Sequence, residues 1–316
     1  MDSYLVTGGA GFIGSHLVEE LRRRGAAVRV LDNLSSGHRH NLAHVSGVDF
    51  VHGDVADLDA CRQAVDGIDI VLHQAAIPSV PKSVKDPIAS NVANIDGALN
   101  VLVAARDARV KRVVYAGSSS AYGNSEALPK HELMVPSPLS PYALQKLVAE
   151  QYCQMFTELY QLDTVTTRYF NVFGPRQDPG SPYSGVISLF ASALSAGRRP
   201  TIYGDGEQTR DFTYVANIVD GVLRAATAPH VAGQVVNVAT GLRISLNELL
   251  RVMNQVIGSA LTAHYEPARV GDVMDSQADI SKARQLLGYT PVVSFEEGLR
   301  RTIEWYRTQS TAGALA

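Results

Sequence analysis

The sequence predicts an α/β protein: a doubly wound parallel sheet joined to a smaller α/β lobe toward the C-terminal end. Three observations carry this. Short apolar runs alternate with helical patterns through the first two thirds of the chain. The runs are rich in β-branched residues without polar alternation, as strands buried on both faces are. A glycine-rich turn joins the first run to the first helix.

The elements follow in order. "YLVTG" (4–8) is a strand, and "FIGSHLVEELRRRG" (12–25) is a helix that Gly25 can end in a left-handed conformation. Strands follow at "AVRVLD" (27–32), "DFVHGD" (49–54), "DIVLHQA" (69–75), "RVVYAGS" (112–118) and "TVTTRYF" (164–170). Helices at about 57–66, 86–109 and 140–161 separate most of them, which implies βαβ units. Past 170 the pattern loosens. "NVFGPRQDPGSPYSG" (171–185) reads as an irregular loop. A helix at about 185–196, the stretch "PTIYGDGEQTRDFTYV" (200–215), another helix, the strand "QVVNVAT" (234–240) and helices near 245–257, 279–287 and 295–308 complete the chain. The expected division is one unit of 1–170 plus about 211–242, and a second of 171–210 plus 243–316.

Bulk properties exclude several classes. Hydrophobic residues make up 46% of the 316 and charged residues 19%, ordinary for a globular protein. A net charge of -3 offers no excess of positive charge for nucleic acid. Two cysteines, Cys61 and Cys153, form no disulfide framework or zinc spacing. The start "SYLVTGG" lacks a signal-peptide pattern, and no apolar run approaches the roughly 18 residues of a membrane span. The expectation is a soluble cytoplasmic protein with no membrane partner. The nine histidines show no metal-ligand spacing, so no metal is expected. His38 and His40 read as solvent-facing, and His73 as a satisfied core residue.

"TGGAGFIG" sets Gly8, Gly11 and Gly14 between strand and helix. Glycines there permit a tight turn, close approach of a pyrophosphate and close helix–strand packing. The helix supplies free N–H groups and the positive end of its dipole. Asp32 ends the second strand, 18 residues past Gly14. A carboxylate there accepts hydrogen bonds from ribose hydroxyls and repels a 2′-phosphate, which selects NAD over NADP. Arg39 is a cation nearby that reads as a solvated loop residue.

In "SPYALQK", Tyr142 and Lys146 stand one helical turn apart on one face. A fixed ammonium beside a phenol favours the phenolate. About 0.25 such pairs arise by chance in this composition, so the pair alone leaves catalysis and helix decoration both open.

In combination, "TGGAGFIG", the Asp32 strand end, "GSSSAYG" (117–123), "SPYALQK" and "RYFNVFG" (168–174) resemble the extended short-chain dehydrogenase/reductase family. Within it the chain is most similar to UDP-hexose 4-epimerases, especially the bacterial type that acts on UDP-N-acetylglucosamine. The resemblance covers nearly the whole chain. It implies a Rossmann domain carrying NAD, a C-terminal UDP-sugar-binding lobe and a homodimer. It implies C4 epimerisation through a 4-keto sugar, with Tyr142 as acid/base, Lys146 on the nicotinamide ribose, Ser118 as the catalytic serine and Ser119 as a second contact. Decarboxylases and dehydratases of the family carry an acidic residue where Ser119 or Ser120 stands, so the triplet points away from those reactions.

The resemblance also assigns binding residues. Phe12 and Ile13 back the phosphate loop, Asn33 adjoins Asp32, and Asp54 and Val55 match adenine-binding residues. Ala75 and Ala76 line the cofactor, Asn94 lies near it, and Tyr169 lies near the nicotinamide carboxamide. Asn171 and Val186 meet the sugar nucleotide, Arg210 and Arg269 its diphosphate, and Asp272 the uridine ribose. Ser276 is the position beside the sugar's C2 substituent, where a small residue admits an N-acetyl group. Pro78 stands where glucose/galactose-type enzymes carry lysine. The helices at 86–109 and 140–161, with Leu99, Leu102, Leu144, Tyr152 and Met155, match those that pair across the family's dimer. Rival expectations are a UDP-glucuronate 4-epimerase or a sugar-nucleotide reductase, and, from another class, a non-catalytic NAD-binding regulator.

Overall fold

The computed structural model describes residues 2–178, 185–268 and 274–313. Strand β1 (Ser3–Thr7) leads through the glycine turn into helix α1 (Phe12–Arg23). Then come β2 (Ala27–Asp32), β3 (Val48–His52), α2 (Leu58–Val65), β4 (Ile70–His73), α3 (Val80–Lys85), α4 (Pro87–Asn91), α5 (Gly97–Asp107), β5 (Arg112–Ser118), α6 (Pro141–Tyr160) and β6 (Thr164–Tyr169). The chain continues with β7 (Val172–Phe173), α7 (Val186–Ser195), β8 (Thr201–Tyr203), β9 (Thr209–Arg210), β10 (Thr213–Tyr214), α8 (Val215–Thr227), β11 (Gln234–Val238), β12 (Ile244–Ser245), α9 (Leu246–Ile257), β13 (His264–Glu266), α10 (Ser281–Leu287) and α11 (Phe295–Gly313).

Seven strands form one parallel sheet in the order β11-β6-β5-β4-β1-β2-β3. Parallel strands need crossovers, and helices supply them on both faces. On one face Leu17, Val18, Ile218, Val222 and Leu287 cover Val6, Val30 and Val114. On the other, Cys61, Val101, Leu102, Ala149 and Phe156 cover Leu5, Val71 and Tyr115. Fully burying a side chain such as Leu5 or Leu72 contributes about 1.5–3 kcal/mol. A further core (Phe173, Phe190, Phe212, Leu249, Phe295, Leu299) joins α7, α9 and α11 beyond the sheet.

The helix read across 86–109 runs unbroken from Pro87 to Asp107, and a short helix, α3, precedes it. Pro87 cannot continue α3, so α4 restarts there under an Asp86 cap that accepts from Ala89 N. A wider π turn, Val92–Asp96, then precedes α5. By length and composition the stretch Pro87–Asp107 would pass for a membrane span. Its Ala98, Val101, Leu102 and Ala105 are instead buried against the sheet. Both cysteines are buried free thiols.

Candidate active site

The carboxyl ends of β1, β2, β4, β5 and β6 converge on one edge of the sheet, where open α/β sheets bind ligands. At β1 the glycine turn is a cradle with no room for side chains. Gly8 has φ +67°, and a Cβ there would lie 2.8 Å from the Ala75 backbone. A Cβ on Gly14 would collide with the Gly8 carbonyl oxygen. Gly11 is the N-cap of α1 and offers no side-chain cap, which leaves the first N–H groups of the helix for an anion. Phe12 and Ile13 open that helix and pack against the core that joins α7, α9 and α11. These residues fit a dinucleotide pyrophosphate.

The buried Asp32 carboxylate accepts from Ala10 N (2.9 Å) and Leu34 N (2.8 Å), which fixes it at the strand end. Arg39 does not approach it; its guanidinium lies 4.3 Å over the Phe50 ring. His38 and His40 have rings stacked at 5.0 Å. Asn33 donates to Asp54 (2.7 Å), so these two predicted cofactor residues meet across the tips of β2 and β3. Val55 is buried against Gly97. Ala75 is held by its N–H to the Thr7 hydroxyl (3.2 Å), with Ala76 beside it. Asn94 is committed to protein: it accepts from Ile77 N (2.8 Å) and donates to Gln145 (2.9 Å). It therefore braces the wall formed by residues 75–77.

The catalytic candidates meet at β5 and α6. Ser140 caps α6 by accepting from Ala143 N, and Pro141 takes the first helical position, where no N–H is needed. Tyr142 is half-buried and its phenol lies beside the Ser118 side chain. Burial pushes that phenol above its ordinary value, and the nearby Ser118 hydroxyl pulls it back. Ser118 Oγ is 2.8 Å from Ser120 Oγ and accepts from Ser120 N (3.2 Å). Within the triplet it is thus Ser120, more than Ser119, that supports Ser118; Ser119 opens a short 3-10 turn. Lys146 is buried, and burial pushes its ammonium down to about 8. His73 is buried and hydrogen-bonded to Thr7 (2.7 Å), with burial pushing it down to about 3, so it is a neutral core residue. Glu150 and Arg168 form a buried bidentate pair (2.6 and 2.8 Å) that pins α6 to β6.

Three contributors escaped the sequence reading. Ser83 Oγ accepts from Tyr142 N (3.0 Å), so α3 fixes the backbone of the tyrosine. Gln74 accepts from Tyr169 OH (3.1 Å), while its buried Nε2 has no partner among the described residues, which suits a cofactor-facing amide. Buried Asp211 accepts from Thr240 N (3.0 Å), Gly241 N (2.8 Å) and Ala278 N (3.2 Å), ordering the segment that bears Ser276. Their partners lie far away in sequence, and no local pattern marks them.

Of the predicted substrate residues, exposed Asn171 holds φ +31° just past β6, and Val186 opens α7. Arg210 lies on β9, where its guanidinium bonds the Met274 carbonyl (3.0 Å). Ser276 N donates to Thr209 O (3.1 Å), which brings Ser276 alongside the strand that carries Arg210. Ser276 is buried and is not a helix cap, since α10 starts at Ser281. Arg269 and Asp272 lie outside the described residues.

A Rossmann cradle with Ser118, Tyr142 and Lys146 at the strand ends defines an enzyme of the short-chain dehydrogenase/reductase type. More narrowly, the chain belongs to the NAD dependent epimerase/dehydratase family, whose model matches residues 4–239. It is 40% identical to a UDP-glucose 4-epimerase of Mycolicibacterium smegmatis over 97% of this chain and 99% of that one. Among solved structures it is similar to the UDP-N-acetylglucosamine 4-epimerase of Methanobrevibacter ruminantium M1 in complex with UDP-N-acetylmuramic acid. That match has a TM-score of 0.93 and 40% identity, covering 98% and 99% of the two chains. The Thermus thermophilus UDP-glucose 4-epimerase in complex with NAD matches with a TM-score of 0.89 and 37% identity, covering 96% and 99%.

Proposed function

We propose that this enzyme epimerises a UDP-hexose at C4, with UDP-GlcNAc and UDP-GalNAc as its principal pair and UDP-Glc and UDP-Gal as slower substrates. The observation that carries C4 epimerisation is the Tyr142 phenol placed beside the Ser118 side chain, with Ser120 bonded to Ser118 where an eliminating or decarboxylating enzyme needs a carboxylate. The similar proteins carry both glucose and N-acetylglucosamine names, so support for the N-acetyl pair comes from Ser276, a small buried residue beside the Arg210 strand. Cofactor sits on 1–170 plus about 211–242, and the sugar nucleotide on 171–210 plus 243–316.

Gly8, Gly11 and Gly14 hold the pyrophosphate of NAD, and Asp32 its adenosine ribose. When bound, NAD supplies reversible hydride acceptance at the sugar's C4. Tyr142 takes the 4-hydroxyl proton, and Ser118 orients the oxygen that loses it. A phenol of ordinary pKa near ~10 is a poor base at neutral pH. The Lys146 ammonium is placed to offset the effect of burial and favour the phenolate, as the positive ring of bound NAD would. Arg210, with Arg269, grips the diphosphate while the 4-keto sugar turns its other face. Tyr142 then returns the proton.

Purified protein, denatured and analysed, should release NAD near one per chain; recovery of NADP alone contradicts the Asp32 assignment. The reaction itself is tested by assaying the enzyme against a panel of UDP-sugars. Dimerisation is part of the same reading. Ile88, Leu144, Met155 and Leu159 are exposed apolar residues on α4 and α6, whereas Leu102 is core and Leu99 and Tyr152 are partly buried. Sedimentation should give a dimer at micromolar concentration, and a monomer would count against this part of the reading.

A further inference from the structure

A polar row runs across the sheet on the face covered by α6. Thr7 pairs in register with His73, His73 with Tyr115, and Tyr115 with Thr166. All four are buried. Lys146 Nζ lies 4.5 Å from the centroid of the Tyr115 ring, and the His73 ring centroid stands 5.6 Å from that of Tyr115. The groups around Lys146 offer no counter-charge. His73 on β4 is neutral. On α6, burial keeps the Cys153 thiol protonated, pushed up to about 12, and the carboxylate one turn along, Glu150, is taken by Arg168 of β6. Tyr169 of β6 is a neutral phenol bonded to Gln74. Among the described residues no carboxylate pairs with Lys146.

We propose that Tyr115 is a positioning residue for Lys146: the negative face of its ring seats the ammonium and holds it charged where a carboxylate would cancel its effect on Tyr142. The ring does this work and the hydroxyl does not. Among the described residues the buried Tyr115 OH has no hydrogen-bond partner, so it contributes no contact there that could explain a tyrosine. A cation moved into a dry interior loses hydration and tends to shed its proton, and a π face offsets part of that loss without adding a negative charge. The inference rests on Tyr142 as acid/base and Lys146 as its cation.

The test is an NMR titration of the Lys146 side chain in NAD-bound enzyme carrying lysine labelled at the ε-carbon, assigned with a Lys146→Met variant. Tyr115→Phe keeps the ring and should move the titration midpoint by no more than about 0.3 pH unit. Replacing Tyr115 with mono-, di- and trifluorophenylalanine keeps the shape while draining the ring face. The midpoint should fall stepwise, by about one pH unit at the trifluoro variant. Tyr115→Leu should fall at least as far, and the fluorinated series carries the test if that variant does not fold. An unchanged midpoint across the fluorinated series overturns the proposal. If the Tyr142→Phe enzyme is inactive while that series is flat, only the Tyr115 assignment fails.

Discussion

Tyr142→Phe is expected to lower turnover by at least ~10²-fold, a typical contribution of a positioned general base, with the fold and bound NAD retained. The side chain loses one oxygen. The ring stays, as do the Ser140 cap, the Ser83 bond to the residue-142 amide and the Glu150–Arg168 pair that holds α6. No other group at Ser118 is equipped to replace it. Ser120 is a hydroxyl bonded to Ser118, and His73 is tied to Thr7 on the sheet, pushed far below neutrality by burial. Ser118→Ala should cost less, because Ser118 orients the oxygen without being the sole base. The comparison is made by steady-state assay with UDP-GlcNAc, with the released dinucleotide measured on the same samples. Near-native turnover of the Phe variant would mean that a different residue takes the proton.

Ser276→Tyr is expected to abolish turnover of UDP-GlcNAc and to spare UDP-glucose. Ser276 is buried, its backbone bonded to Thr209 on the strand that carries Arg210, with Asp211 fixing the turn two residues on through Ala278 N. A segment held that firmly cannot withdraw to accept a larger side chain. On the proposed reading the phenol ring would fill the space required by the acetamide, and discrimination would come from the clash. The C2 position of glucose demands no such space, because it bears a hydroxyl alone. Parallel assays with both sugars decide the matter. A variant that still handles both, or a native enzyme that turns over UDP-glucose and not UDP-GlcNAc, removes Ser276 from its assigned place.

Much of the fold was legible because its signals are local. The strand ends Asp32 and Ser118 follow from continuous β-branched runs, which place the ends at Thr7 and Tyr169 to within one residue, and Gly8 and Gly14 follow from a turn that tolerates no Cβ. Helix α6 was read at about 140–161, and the structure starts it at Pro141 under a Ser140 cap. The helix read across 86–109 is present from Pro87 to Asp107 with a π turn inside it, whereas the six-residue α3 before Pro87 was too short for its periodicity to show. The site was legible where a short motif carries chemistry, as at Tyr142 and Lys146. It was not legible where contacts span the fold. Ser83 meets Tyr142 from 59 positions away, Gln74 meets Tyr169 from 95, and Asp211 meets Ala278 from 67. A serine, a glutamine or an aspartate in a loop carries no sequence sign of such a partner. The serine triplet has the same character: its three hydroxyls are equivalent on paper, and only the 3-10 turn after Ser118 turns Ser120 toward it.

The central claim, reversible inversion at C4 by an enzyme that keeps its own cofactor, is tested most directly by proton NMR of UDP-GlcNAc incubated with purified enzyme and no added dinucleotide. UDP-GalNAc signals should grow to a steady ratio, and a reaction started from UDP-GalNAc should reach the same ratio. No inversion of either UDP-GlcNAc or UDP-glucose, or inversion that proceeds only while added NADH is consumed in step with product, would contradict it.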